Sequence, residues 1–271
     1  MTDRYAVVGN PIAHSKSPQI HRLFAEQLND DISYDKELIE LGNFDAWVDK
    51  FFQAGGKGLN VTLPFKADAY SYAHKNTERA ERAGAVNTLG IENGSVIGDN
   101  TDGFGLLEDL TQRLGWQVAG SEVLLLGAGG AVRGVLGPLL DAMPQSITLA
   151  NRTYSKAEQL AQTFASVGNI EAAELSALGG RKFDLIINGT SAGVSGEAPD
   201  LPATLFKSNA CSYDMFYSAE PTPFLKWSAP LAAEISDGLG MLVAQAAESF
   251  RIWRGKRPDF TPVVELIRST I

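Results

Sequence analysis

Residues 121–140 read SEVLLLGAGGAVRGVLGPLL. The apolar run Val123–Leu126 has the length of a buried strand, and it leads directly into Gly127, Gly129 and Gly130. A helical pattern follows. Glycines at such a junction allow a tight turn and let backbone amides approach a pyrophosphate at the helix N-terminus. The pattern departs from G-x-G-x-x-G at its third glycine, where Val132 stands. A plain strand-to-helix turn is the competing reading, but the strand before and the helix after favour a dinucleotide site made by Gly127, Ala128, Gly129, Gly130 and Ala131. The next strand, SITLA, ends at Ala150 and leads into NRTYSK. An acidic residue at that point serves the ribose hydroxyls of NAD. Here Asn151 and Arg152 stand instead, with Thr153 and Lys156 beyond. A guanidinium can face a 2′-phosphate that a carboxylate would repel. The stretch therefore points to NADP, against the alternative of Arg152 as an exposed loop charge.

Working outward, further strands are expected near 183–187 and 210–214, so residues from about 122 form one α/β series. Near Gly238 a long helix begins, with Leu239, Leu242, Val243, Ala246, Phe250 and Trp253 on one face and Gly255 able to end it. Upstream, YAVVG, ISYDKELIE and GLNVTL alternate with helical patterns over 18–28, 43–54 and 65–73. This is the rhythm of a mainly parallel sheet. The Asn93-Gly94 pair breaks it with a hairpin. The expected fold is α/β with two domains. One comprises residues 1–101 and 238–271, a mainly parallel α/β unit onto which the C-terminal helices pack back. The other, 102–237, is a Rossmann-type dinucleotide-binding domain.

Composition narrows the function. The chain has 271 residues, 44% of them hydrophobic, enough for two cores. A net charge of −9 disfavours general attraction to nucleic acid or membrane surfaces. Cys211 is the single cysteine, expected as a buried small hydrophobe, and His14, His21 and His74 lack metal-site spacing. His14 is expected in a solvated loop and His21 on the exposed side of its helix. No secretory pattern and no membrane-length apolar run is seen, so a soluble cytoplasmic protein is expected, with no metal and no nucleic-acid or membrane partner.

Near the start, VVGNPIAHSKSPQIH spans residues 7–21. Ser17 before Pro18 reads as a helix N-cap. Ser15 has no such task. Two hydroxyls at the positive end of a helix can also hold a carboxylate.

GNPIAHSKSPQIH, GLNVTLPFK, GAVNTL, GDNTDGFG, GAGGAVRG, NRTYSK, DMFY and GLGMLVAQAAESFRIW occur in the order found in shikimate dehydrogenases. The chain resembles that family over nearly its whole length. The resemblance implies NADPH-dependent reduction of 3-dehydroshikimate to shikimate, in a cleft between a substrate domain and a Rossmann domain. It implies that Ser15 and Ser17 donate to the substrate carboxylate. It also implies that Thr62, Lys66, Asn87, Asp102, Tyr217 and Gln245 complete the substrate pocket, with Lys66 and Asp102 catalytic. The glycine loop, Asn151, Arg152, Thr153, Lys156, Met215 and Gly238 would hold the cofactor, and Glu78 would lie near the nicotinamide. The chemistry suits those residue types independently, because hydride delivery to a ketone leaves an alkoxide that needs a proton. Isolated, Lys66 reads as a solvated lysine and Asp102 as an anion in a first helical turn. The rivals are a dual quinate/shikimate enzyme, a non-catalytic NADP-binding sensor on the same fold, and a methylenetetrahydrofolate-type dehydrogenase. Either a monomer or a homodimer fits.

Overall fold

The computed structural model describes residues 2–190 and 200–271. These fall into two compact units, residues 1–105 with 242–270 and residues 106–241.

The first unit is built on six strands: β1 (Asp3–Gly9), β2 (Ile32–Leu38), β3 (Gly56–Val61), β4 (Lys75–Asn76), β5 (Thr88–Glu92) and β6 (Ser95–Asp99). Their order is β2-β1-β3-β5-β6-β4. β1 runs parallel to β2 and β3, and β4 parallel to β6. The expected hairpin makes β5 antiparallel to β3 and β6. Asn93 and Gly94 both take positive φ, 50° and 80°, the conformation a two-residue turn of this hand requires.

The helix Leu239–Arg254 lies on this sheet through Trp253. The Trp253 indole N–H donates to the Leu89 carbonyl at 3.0 Å. Its ring occupies the space a Cβ would need at Gly58, so glycine there is what lets the helix come down. Arg254 then fastens the helix end by donating to Asp30 and Asp3.

The second unit has strands β7 (Glu122–Leu126), β8 (Ser146–Ala150), β9 (Ile170–Ala173), β10 (Phe183–Asn188), β11 (Phe206–Asp214) and β12 (Glu234–Asp237). The order β12-β11-β10-β7-β8-β9 is parallel at every pair, the doubly wound arrangement. Strand order reverses between β7 and β10, which places the glycine loop after β7 at the switch point. Val123, Leu125, Val135, Leu139, Ile147, Leu149, Leu185 and Ile187 form the core beneath it.

Three expectations are corrected. His21 is fully buried, stacked 4.1 Å from Tyr34 at an interplanar angle of 7° and tilted against Trp253. Ile20, Leu23, Phe24 and Leu28 suggest one apolar face that leaves His21 out, but Phe250 and Trp253 of the long helix cover it. Ser17 does not cap its helix. It is the first helical residue, and Ser15 takes the nearest thing to that task by accepting the Ser17 backbone N–H at 3.3 Å. Cys211 is only half-buried, and burial with nearby Glu234 pushes its thiol up to about 11.

Neither ring nitrogen of His21 has a hydrogen-bond partner. Burial lowers its pKa from 6.5 to about 3, opposed in part by the nearby Asn60 amide. The unfolded chain therefore binds this proton across an interval in which the folded chain does not. Its contribution to stability is whole above about pH 6.5 and is lost as the pH falls towards 3. His21→Phe, which keeps the stack, removes that loss. Between pH 7 and 5 the wild type should lose about 2 kcal/mol more than the variant in urea unfolding. Parallel pH dependences would contradict a neutral buried imidazole.

Candidate active site

In the first unit the site residues sit at the carboxyl ends of β1 and β3 and in the turn after β6. The Thr62 backbone N–H donates to Val8, and the Asn10 backbone N–H donates to Leu63 at 3.0 Å. These two bonds tie the loop carrying Ser15 and Ser17 to the loop carrying Thr62 and Lys66. Phe65 is buried beside Lys66, and the Lys66 carbonyl accepts from Val86. That bond registers Lys66 against the next residue, Asn87.

Lys66 Nζ lies 2.6 Å from Asp102 Oδ2, with the lysine side chain 25% exposed and the aspartate 5%. A partly covered ammonium next to a covered carboxylate is a pair that can hold or move a proton at a substrate oxygen. Asn87 fixes the carboxylate from its other side. Its Nδ2 has three acceptors within hydrogen-bond distance, Asp102 Oδ1 at 2.8 Å, Thr101 Oγ1 at 2.9 Å and Gln245 Oε1 at 3.1 Å, which share its two hydrogens. Its Oδ1 accepts the backbone N–H of Thr101 at 2.9 Å. A backbone N–H can only donate, so the amide orientation is determined and Nδ2 must face the carboxylate.

A second hub leads back to the serines. Asn60 Nδ2 donates to the Asn87 carbonyl and to Ser249 Oγ, while its Oδ1 accepts from the Tyr34 hydroxyl at 2.7 Å. Burial raises the Tyr34 pKa well above its ordinary value, opposed by a hydrogen bond with Ser17. Sequence reasoning missed Tyr34, Asn60 and Ser249. Asn60 was within view, inside GLNVTLPFK, but nothing local marks β2 or the long helix as its partners.

Glu78 opens the short helix Glu78–Ala83, has a side chain 76% exposed and pairs with Arg82 at 2.5 Å. The remaining predicted residues lie in the second unit. Gly127 takes φ 109°, open to glycine and strained for any other residue. Its N–H donates to Ala150, and the Gly189 N–H donates to Leu126, so the ends of β7, β8 and β10 are drawn together. Gly129 precedes the helix Gly130–Asp141, and a Cβ at Gly129 or Gly130 would meet nothing within 4 Å. That open cradle of backbone amides fits an anionic diphosphate. Val132 replaces the third glycine because the room comes from the facing strand: a Cβ at Gly189 would overlap its side chain.

Asn151 Nδ2 donates to the Thr153 carbonyl at 2.9 Å, bracing the loop in which Arg152 is exposed, and Lys156 is exposed in the first turn of the helix Tyr154–Phe164 that follows. Met215 and Gly238 meet, since a Cβ at Gly238 would collide with the Met215 carbonyl. Asp214 was missed by sequence reasoning. It accepts from Thr222, Phe216 and Asn188, with burial raising its pKa, and so shapes the loop that carries Met215 and Tyr217. Tyr217 is half-buried, its phenol raised by burial and by Asp237. Among the described residues no cluster suits a metal ion, and no helix is long and apolar enough to cross a membrane.

Three family models match in sequence order: the shikimate dehydrogenase substrate binding domain over residues 7–89, shikimate/quinate 5-dehydrogenase over 109–195, and the shikimate 5′-dehydrogenase C-terminal domain over 238–268. The shikimate dehydrogenase (NADP(+)) of Cellvibrio japonicus is 56% identical over 99% of this chain and 98% of its own. That of Chromobacterium violaceum is 52% identical over the whole of both chains. The chain belongs to the shikimate dehydrogenase family. Among solved structures, an Ael1 enzyme from Pseudomonas putida superposes with a TM-score of 0.94 at 43% identity, covering 98% of each chain. The Thermus thermophilus shikimate 5-dehydrogenase in complex with NADP(H) and shikimate gives 0.90 at 32% identity over the whole of both chains.

Gly238 and Gly129 differ in the room around them. Gly238→Ala forces a Cβ onto a backbone carbonyl and should cost about 1–3 kcal/mol of stability. Gly129→Ala enters open space and should cost under about 1 kcal/mol, and a methyl there would hinder a diphosphate received on the amides of this helix start, so NADP binding should weaken. Calorimetric unfolding and NADP titration of both variants check this. Unchanged NADP affinity in Gly129→Ala would contradict the cradle.

Proposed function

We propose that the first unit binds the substrate and the second binds NADP, and that the chain performs the reversible reduction of 3-dehydroshikimate to shikimate with this division of labour. The observation that carries the reading is the Lys66–Asp102 pair at 2.6 Å, braced by Asn87. NADPH supplies the hydride. Lys66 holds the proton destined for the reacting oxygen, and Asp102 orients the ammonium and accepts from a substrate hydroxyl. Asn87, Thr62 and Gln245 bind the ring hydroxyls, while Ser15 and Ser17 donate to the substrate carboxylate. Retention of the proton-handling pair favours an enzyme over a binding-only sensor.

On the cofactor side, Gly127 to Ala131 receive the diphosphate on backbone amides. Met215 and Gly238 also hold the cofactor. Arg152, with Asn151, Thr153 and Lys156, takes the 2′-phosphate. A carboxylate is missing from the end of β8, which favours NADP over NAD.

The direct test is an assay with 3-dehydroshikimate and NADPH, with shikimate and quinate compared in the reverse direction. Turnover of shikimate far above quinate supports the reading; equal turnover would make the chain a dual-substrate enzyme. Arg152→Ala should raise the KM for NADPH about 10-fold to 100-fold, the worth of a charge-assisted hydrogen bond, and leave that for NADH nearly unchanged. Equal losses with both cofactors would remove Arg152 from the phosphate site.

A further inference from the structure

We propose that Arg79 is a positioning residue for Asp102, acting by clamping the turn that presents Asp102 to the helix that presents Gln245. The inference rests on the reading of Asp102 as a participant in the reaction. Residues 99–102 are wound by their own side chains. Asp99 Oδ1 accepts the Asn100 backbone N–H at 2.7 Å, and Asn100 Oδ1 accepts the Asp102 backbone N–H at 3.1 Å. The Asn100 amide also donates to Ala85 at 3.0 Å. The place of Asp102 therefore follows from the place of the Asp99 carboxylate.

Arg79 holds that carboxylate with its fork, Nε to Oδ1 at 2.6 Å and an Nη to Oδ2 at 2.8 Å, and Thr77 donates to Oδ1 at 2.6 Å. Burial alone would raise the Asp99 pKa, but these donors overcome it and hold it below the ordinary carboxylate value. The same Nη of Arg79 donates to Glu248 Oε1 at 3.0 Å. Glu248 is buried on the Leu239–Arg254 helix, three residues after Gln245, and is held from its other side by the Arg251 fork. One guanidinium thus spans two carboxylates. The first belongs to the segment that delivers Asp102 to Asn87, the second to the helix that delivers Gln245 to the same amide.

A lysine could not do this, because a point charge lacks the fixed fork that sets two carboxylates at defined angles. A buried ion pair is also poor evidence for a purely stabilising role, since desolvation offsets most of the attraction. What the network gives is a defined geometry, and misplacing a reacting group by about 1 Å costs on the order of 100-fold in rate.

A double-mutant cycle on the full-length enzyme tests the proposal, using wild type, Arg79→Gln, Asp102→Asn and the double variant, each assayed for 3-dehydroshikimate reduction. Arg79→Gln should lower kcat by about 10-fold to 100-fold with the NADPH dissociation constant, read from nucleotide fluorescence, kept within about twofold. In the Asp102→Asn background the same change should cost almost nothing more, because the group being positioned is already gone. Equal losses in both backgrounds would show that Arg79 serves the fold in general and would overturn the proposal. So would a normal kcat in Arg79→Gln. A normal kcat in Asp102→Asn would overturn both the proposal and the reading beneath it, which separates the two failures. If Arg79→Gln shows no cooperative thermal transition, Glu248→Gln cuts the same clamp from the helix side and carries the same cycle with the same expected non-additivity.

Discussion

The buried side-chain amide of Asn87 is the point on which the first unit's site depends. Two segments distant in sequence end on it, the turn at Thr101 and Asp102 and the long helix at Gln245, and the hydroxyl of its own neighbour Thr88 donates to Oδ1. A primary amide has two donors and one acceptor oxygen, so its demands are directional and few arrangements satisfy them. In a buried setting an unmet demand is costly, and each partner is held to its place by that cost. Replacing Asn87 with leucine, similar in shape but without polar atoms, would leave Asp102 without its brace and the Thr101 N–H without its acceptor.

The backbone provides the frame for this hub. Both sheets place their functional loops at the carboxyl ends of parallel strands: β1 and β3 in one unit, β7, β8 and β10 in the other. In the second unit the proposed binding device is the frame itself, since amides at a helix start suit an anion without any charged side chain. In the first unit the frame only brings loops together, and polar side chains do the rest. Glycine marks the places where that frame has to be tight: Gly58 under Trp253, Gly189 against Val132 and Gly238 against Met215.

Much of this was legible in the sequence because it is local. Strand β7 and the glycine turn, β8 with its basic successor, and the Asn93-Gly94 hairpin announce themselves within a few residues of the chain. Lys66, Asn87 and Asp102 were recognisable as a set only through resemblance, since no spacing of 21 or 15 residues between them carries a physical signal (Asn87 minus Lys66, Asp102 minus Asn87). His21 was misplaced because its cover comes from Trp253 and Phe250, more than two hundred residues away in sequence. Arg79, Glu248, Tyr34 and Asp214 were invisible for the same reason. Each is a polar residue whose partner lies on another element, and composition alone reads such residues as surface. Ser17 shows the opposite error: a sound local rule, serine before proline at a helix start, was overridden when Ser15 accepted the Ser17 N–H and the Ser17 hydroxyl turned to Tyr34.

In the proposed reaction the Lys66–Asp102 pair, held by Asn87, handles the proton. The most direct measurement is the kcat of Lys66→Met for 3-dehydroshikimate reduction across the pH range, with NADPH binding measured alongside. Methionine keeps much of the side-chain volume and removes the proton. The account predicts a fall in kcat of about 100-fold to 10,000-fold at every pH, the usual worth of a general acid, with NADPH affinity nearly kept. A variant that retained near-normal kcat across that range would contradict it.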